Sequence, residues 1–223
     1  VYADATKGWI PLNDDEVTFD HGDPPTQKTI FAYGIVSSVV SMSNLVNSSG
    51  VVAADVTGVG TARFGLGAAS YGGDKAIFGY GDTGSVSSLS NLVSNSGVVA
   101  SDTTGVGTAR TYLAAAGYGV DKAIFGYGET PGNVSLTNLV SNSGVVATDT
   151  TGVGTARYGS AAASYGTDKA IFAYGHNGST YVSMSNLVSN SGVVATDTTG
   201  VGTARHELPA AGYGGDKAIF AYG

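Results

Sequence analysis

The chain has 223 residues, a formal net charge of −7 and 42% apolar residues, enough for one sizeable domain or one closed array of repeats. Its 35 glycines and 12% charged residues argue against a helical protein, because glycine costs about 1 kcal/mol at each helical position. The absence of cysteine excludes disulfide frameworks, thiolate zinc sites and cysteine nucleophiles.

The basic residues are too few and too scattered to neutralise a row of phosphates, so we expect no nucleic-acid partner. No stretch approaches the roughly 18 apolar residues that a membrane-spanning helix needs, so we expect no membrane insertion. The chain begins at Val1 and shows no secretory signal. We expect it to be a processed or trimmed piece of something larger.

Residues 1–27 are the least regular part of the chain. Residues 1–8 match residues 145–152 in pattern, and the interval that follows is three residues longer than in the other copies. We therefore predict that 1–27 is a degenerate first repeat that supplies a closing strand. Residues 28–223 are the regular repeats of the same single domain.

The regular repeats open on lysines at 28, 75, 122, 169 and 217, a period of about 47 residues with one extra residue in the last interval. The third copy runs D-K-A-I-F-G-Y-G, a variable loop, N-L-V-S-N-S-G-V-V-A-T-D-T-T-G-V-G-T-A-R, then A-A-A-S-Y-G. Units of this length, with short apolar runs divided by Gly and Asn, are typical of propeller blades or another closed β array.

Each unit is predicted to hold four strands, a to d, at 114–117, 122–127, 135–140 and 145–150 in the third copy. In strand b, Ala123, Phe125 and Tyr127 should share one face. Strand a is rich in alanine, which lets backbones approach a central axis, and the Ile-Phe pairs of strand b supply the core between sheets. Burying each such side chain is worth about 1.5–3 kcal/mol.

These features predict an all-β fold, a propeller of about five four-stranded blades of ~47 residues. The chain ends at Gly223, just after a strand b. We therefore predict that the last blade is incomplete and that the N-terminal segment closes the ring.

The unit resembles the kelch repeat. Kelch units carry an Arg that leads into a small-residue strand, then an apolar strand that ends in paired glycines. Arg110, the alanines at 114–116 and residues 122–128 occupy those places. The chain departs from kelch in having Gly-Tyr-Gly or Ala-Tyr-Gly for the glycine pair, and in having a single tryptophan, Trp9. The resemblance implies a propeller blade.

Residues 5–15, A-T-K-G-W-I-P-L-N-D-D, resemble short segments that precede or connect distal domains in bacteriophage tail-fibre and other virion proteins. The Gly/Ser/Thr/Ala repeats that follow suit such proteins. This resemblance implies a virion or extracellular location and assembly into a larger virion oligomer.

The repeated charged residues allow two interpretations. Asp102 with Arg110, and its equivalents in the other units, either binds a ligand or braces the connection between strands d and a through carbonyls and the carboxylate. We favour bracing, because equal use in every unit is what a repeated geometry demands. D-T-T-G-V-G has too few carboxylates for a calcium loop, and we expect no metal site or cofactor. The three histidines occupy non-equivalent positions, and no residue set indicates catalysis, so we expect no enzyme.

Sequence differences between units concentrate in two segments, the b–c loop and the start of strand a, which should emerge at the same end of the blade. One interpretation is that these loops face solvent and nothing restrains them. The other is that they bind a partner, since binding residues commonly lie on loops held by a rigid frame. The candidate contacts are Tyr112, Glu129, Tyr158, His176, Asn177, Tyr181, His206 and Glu207.

Two functions follow. The first is a non-enzymatic virion component, part of a tail fibre or adhesin, that presents the variable face to a host-surface glycan or to other virion proteins. The alternative is a multivalent carbohydrate-binding propeller lectin, since repeated weak sites gain avidity.

Overall fold

The structure is a computed structural model that describes residues 2–4, 8–9 and 29–223. Every regular element in these ranges is a β-strand, and the strands form small antiparallel sheets. The predicted all-β class is confirmed. Within the described residues no helix is long and apolar enough to cross a membrane.

The strands fall into five successive units preceded by an N-terminal pair. The pair is β1 (Tyr2–Asp4) with β2 (Gly8–Trp9). Unit 1 holds β3 (Thr29–Ile35) and β4 (Val39–Val46); unit 2 holds β5 (Gly67–Tyr71), β6 (Lys75–Gly79) and β7 (Ser90–Val93); unit 3 holds β8 (Ala114–Tyr118), β9 (Lys122–Gly126) and β10 (Thr137–Val140); unit 4 holds β11 (Ala161–Tyr165), β12 (Lys169–His176) and β13 (Tyr181–Val188); unit 5 holds β14 (Ala210–Tyr213) and β15 (Lys217–Phe220).

The predicted strand d is not a continuous strand. In unit 3 it is reduced to two bridges to β10, one from Val146 to Val140 and one from Thr150 to Thr137. Val146 and Thr150 are four positions apart, whereas Thr137 and Val140 are three positions apart, so strand d carries one extra residue and its pairing with β10 is interrupted. Units 1, 2 and 4 show the same two bridges.

The tyrosine two residues after the strand b phenylalanine has a left-handed backbone in all five units, with φ of 62–65°. This conformation is rare for residues other than glycine and breaks the alternation of side chains. Tyr127 therefore packs in the cluster of Ile124 and Phe172, whereas Phe125 packs on the opposite side with Tyr80. The prediction that Tyr127 shares a face with Phe125 was wrong for this reason.

The apolar core lies between successive units. The alanine-rich strands β5, β8, β11 and β14 lie side by side in that order. Phe125 of unit 3 packs against Ile77 and Tyr80 of unit 2, and Phe172 packs against unit 3 in the same way. The Ile and Phe side chains of strand b thus form the predicted core in units 2 and 3, and in unit 4 Phe172 is buried while Ile171 is half-buried.

The described residues do not show a closed ring. β14 and β15 form a two-stranded sheet of their own, and β1 pairs with β2. Most of residues 1–27, the predicted closing segment, lies outside the described residues.

Candidate binding surface

The two variable segments lie next to each other in units 2, 3 and 4. Thr111, at the start of the segment before strand a, forms an antiparallel bridge with Glu129, which follows Gly-Tyr-Gly in unit 3. Tyr158 and His176 form the same bridge in unit 4 through backbone hydrogen bonds of 3.1 and 2.9 Å. The segments that sequence variability indicates are therefore brought together at one end of units 2, 3 and 4.

A ladder of backbone hydrogen bonds joins these segments across the units. The N–H of Tyr112 donates to Gly65 O at 2.7 Å, that of Gly159 to Tyr112 O at 2.9 Å, and that of Glu207 to Gly159 O at 2.7 Å. All four residues are left-handed, with φ of 61° and 58° at the glycines and 50° and 52° at Tyr112 and Glu207. Residues other than glycine keep such a backbone only at a cost of about 1–3 kcal/mol, and such sites cluster where proteins bind ligands.

Aromatic rings from four units form a continuous run along this ladder. The rings of Tyr112 and Tyr158 lie 6.2 Å apart, and those of Tyr158 and His176 lie 5.3 Å apart. Tyr181 stacks on His206 at 4.7 Å with an interplanar angle of 26°. We call this set the aromatic surface; its members are Phe64, Tyr112, Tyr158, His176, Tyr181 and His206.

Three carboxylates border the aromatic surface. Burial raises the pKa of the Tyr112 hydroxyl, and the nearby carboxylates of Glu207, Glu129 and Asp82 raise it further. Glu207 is exposed, as is Tyr181, of which 54% is accessible. The surface therefore combines ring faces with negatively charged hydrogen-bond acceptors.

The remaining candidate, Asn177, shapes the loop beside the rings. Its Oδ1 accepts hydrogen bonds from the backbone N–H groups of Ser179 and Thr180, both at 2.9 Å. His176 Nδ1 accepts from Gly178 N at 3.0 Å, which fixes the ring orientation and leaves the proton of a neutral imidazole on Nε2. All eight predicted residues thus lie on this end of units 3 to 5.

Sequence reasoning missed two members of the region. Phe64 extends the aromatic surface into unit 2, with its ring 6.1 Å from that of Tyr112. Asn133 Nδ2 donates to His176 O at 3.3 Å and links the loops of units 3 and 4. Both residues lie in the variable segments, so their position in the repeat was the available signal.

The arginine that precedes strand a is buried in units 2, 3 and 4 and braces each of these units. Arg110 Nε donates to Tyr127 O at 2.8 Å, and its Nη2 donates to Asn138 Oδ1 at 2.7 Å. The guanidinium also lies 4.2 Å from the ring centroid of Tyr80 in the preceding unit. Arg63 and Arg157 are buried in the same way. The arginines therefore hold the frame together and do not reach the aromatic surface.

The carboxylate facing each arginine comes from the unit that the arginine opens. Arg63 lies 3.8 Å from Asp102, and Arg157 lies 4.0 Å from Asp197. The predicted pairing of Asp102 with Arg110 was therefore wrong, because each arginine folds onto the strands that follow it. Burial opposes ionisation of Asp102, but hydrogen bonds from Thr61 and Asn91 outweigh it and lower the pKa of the carboxyl.

Two equivalent clefts lie in units 1 and 4, and Tyr181 of the aromatic surface lines the second of them. One has a volume of about 410 Å³ and is lined by residues 39–42, 55–58 and Ala62. The other has a volume of about 450 Å³ and is lined by residues 181–184, 197–200 and Ala204. The same segments of the repeat line both clefts.

Within residues 2–4, 8–9 and 29–223, no three His, Cys, Asp or Glu side chains are placed to hold a metal ion. No protein-family model matches the chain, and no curated protein matches it.

Proposed function

We propose that this protein is a non-enzymatic structural and adhesion component of a virion, part of a tail fibre or adhesin, and that it binds through the aromatic surface. One observation carries the proposal. The sequence positions that vary between otherwise near-identical units converge on one run of contacting rings, at a backbone that is left-handed even at Tyr112 and Glu207. The partner is a host-surface glycan or another virion protein.

The chemistry of the surface suits such a partner. Tyrosine offers an apolar ring and a polar tip, a combination enriched at binding surfaces. The ring of Tyr181 is half exposed, and Glu207 supplies acceptors for hydroxyl or amide donors. A sugar ring presents apolar C–H faces together with hydroxyl donors, which match these two features.

The finer architecture forms part of this proposal. The units are blades around a common axis, with the alanine strands innermost, as their side-by-side order supports. A count of five blades and closure by residues 1–27 stay predictions. A kelch-like blade remains a resemblance in the order of its Arg, small-residue and apolar segments.

The virion location can be tested on particles from the source of the sequence. Antibodies raised against the chain should decorate fibres or surface projections in electron micrographs. Label confined to cell envelopes or free protein would rule out the virion role while leaving adhesion open.

Adhesion is tested with purified chain on a glycan array and on immobilised virion proteins. The triple variant Tyr158→Ser, Tyr181→Ser, His206→Ser should lose binding by at least about tenfold, since aromatic side chains dominate interface energies. Tyr165→Ser is the matched control, because Tyr165 ends the strand that Tyr158 precedes and lies at the opposite end of unit 4. Equal binding by the triple variant and wild type would refute the proposed surface.

The two equivalent clefts favour the alternative, a carbohydrate-binding lectin with repeated sites. Calorimetric stoichiometry separates the two functions. The aromatic surface predicts one ligand per chain and loss of binding in the triple variant. A lectin that binds in the clefts predicts two ligands per wild-type chain and one in that variant, because Tyr181 lines only the cleft of unit 4.

A further inference from the structure

The contact between successive units repeats along the chain with the same two rings. In each unit a tyrosine stands two residues after the strand b phenylalanine, and it packs on the strand b phenylalanine of the next unit. The ring centroids lie 5.2–5.7 Å apart at four successive boundaries: Tyr33 with Phe78, Tyr80 with Phe125, Tyr127 with Phe172 and Tyr174 with Phe220. The same ring contact therefore joins the units at all four boundaries.

A second contact repeats at two of these boundaries, between units 2 and 3 and between units 3 and 4. The tyrosine that ends strand a lies against the glycine in the c–d turn of the next unit. A Cβ built on Gly144 would come 3.0 Å from the ring of Tyr71, and one on Gly192 would come 2.9 Å from Tyr118. The boundaries between units 2 and 3 and between units 3 and 4 thus join a trailing face with two tyrosines to a leading face with a phenylalanine and a turn glycine.

The two end units carry the unused halves of this interface. Phe31 of unit 1 is 60% exposed, whereas its equivalents Phe78, Phe125 and Phe172 are at most 4% exposed. Gly50, in the c–d turn of unit 1, has no heavy atom within 4 Å of its built Cβ. The leading face of unit 1, Phe31 and Gly50, is therefore open.

The trailing face of unit 5 is open in the same way. Tyr222 is 86% exposed, against 1% for Tyr80 and 0% for Tyr127. Tyr213 and Ile219 are also exposed, although their equivalents Tyr71 and Ile77 are buried. We define the trailing face as Tyr213, Ile219 and Tyr222.

We propose that these two faces bind each other between two copies of this chain, head to tail. The trailing face of one copy takes the leading face of the next, with Tyr222 on Phe31 and Tyr213 on Gly50 as at the internal boundaries. Both faces are exposed at once in the single chain, so a second copy covers them without rearranging the units. A contact of this type joins different patches on the two copies, and it builds an open row when the rotation does not close. This inference is independent of the adhesion role, and it is the alternative to closure of the ring within one chain, which would cover both faces.

The test uses the 223-residue chain in sedimentation velocity from about 1 to about 200 µM, where contacts of moderate affinity are populated. The wild type should form dimers and longer species as concentration rises. Phe31→Glu and Tyr222→Glu, measured separately, should each stay monomeric with an unchanged melting temperature. Val145→Glu is the control: its side chain is 65% exposed and lies in the middle of the chain, and it should associate like wild type.

Mixing the two end variants gives the decisive result. Phe31→Glu keeps an intact trailing face and Tyr222→Glu keeps an intact leading face, so an equimolar mixture should form a dimer and no larger species. A monomeric wild type overturns the proposal. This outcome is expected if the chain's own other end or residues 1–28 cover these faces. Self-association of either single variant overturns it as well.

Discussion

Gly126 lies against the ring of Phe172, and a Cβ built on this glycine would come 2.6 Å from Phe172 Cζ. The glycine belongs to strand b of unit 3 and the ring to strand b of unit 4, so the missing side chain lets the two units approach. Gly79 stands in the same relation to Phe125, with a built Cβ 2.7 Å from the ring.

We predict that Gly126→Ala lowers the free energy of unfolding by about 1–3 kcal/mol, because overpacking a tight core forces neighbouring groups to shift. Urea unfolding followed by circular dichroism measures the change. Gly132→Ala is the control. A Cβ there meets no heavy atom within 4 Å, and the variant should be neutral or more stable by up to about 1 kcal/mol. Equal stabilities for the two variants would contradict the packing argument.

Arg110→Ala should destabilise the chain by about 3–5 kcal/mol, because it leaves buried partners without their donor. Arg110→Lys should recover little, since a single ammonium cannot reach Tyr127 O, Thr108 O and Asn138 Oδ1 together. Lys122→Ala provides the comparison: its ion pair with Asp121, at 3.6 Å, is partly exposed, and its loss should cost no more than about 1 kcal/mol. Chemical denaturation gives the free energy of unfolding of the three variants. A larger loss in Lys122→Ala than in Arg110→Ala would contradict the bracing role of the arginine.

Alkaline pH should weaken the fold through two tyrosines. Burial raises the pKa of Tyr80 and Tyr127 to about 12, above the value near 10 expected in the unfolded chain. Between about pH 10 and 12 the unfolded chain therefore binds fewer protons than the folded chain, and stability falls as pH rises. The slope is up to about 1.4 kcal/mol per pH unit for each tyrosine.

The check is a series of unfolding curves from pH 8 to 12 on wild type, Tyr80→Phe and Tyr127→Phe. Each variant lacks one titrating group, so its stability should decline less steeply with pH than that of wild type. Parallel profiles would show that these tyrosines do not cause the decline.

Glu207→Gly should raise the free energy of unfolding by about 1 kcal/mol, because glycine adopts φ of 52° without the steric cost that Glu207 bears. The same change should weaken partner binding if Glu207 lies on the binding surface. Ser143→Gly, in an exposed turn, should instead lower the free energy of unfolding by about 0.5 kcal/mol, because glycine gives the unfolded chain more conformational freedom. Thermal unfolding of both proteins measures the difference, and a less stable Glu207→Gly would disprove the strain.

The sequence was sufficient to predict strands a, b and c, because their apolar residues recur at fixed spacing. It failed at Tyr127, whose left-handed backbone no alternating pattern can reveal. It also paired Asp102 with Arg110, since proximity along the chain does not show which strands a buried arginine spans. Repeat differences located the end of the units that carries Tyr158 and His176, but the contacts between their rings depend on three-dimensional spacing.

The guanidinium of Arg157 lies 4.0 Å from the ring centroid of Tyr127, so the last ring of unit 3 is shielded only while unit 4 is folded. Each unit is therefore stabilised by its contacts with the adjacent units, and the two end units should unfold before the central ones. Amide hydrogens of β9 should exchange with solvent more slowly than those of β3 and β15. A protease would consequently shorten the chain from its ends before cutting its centre.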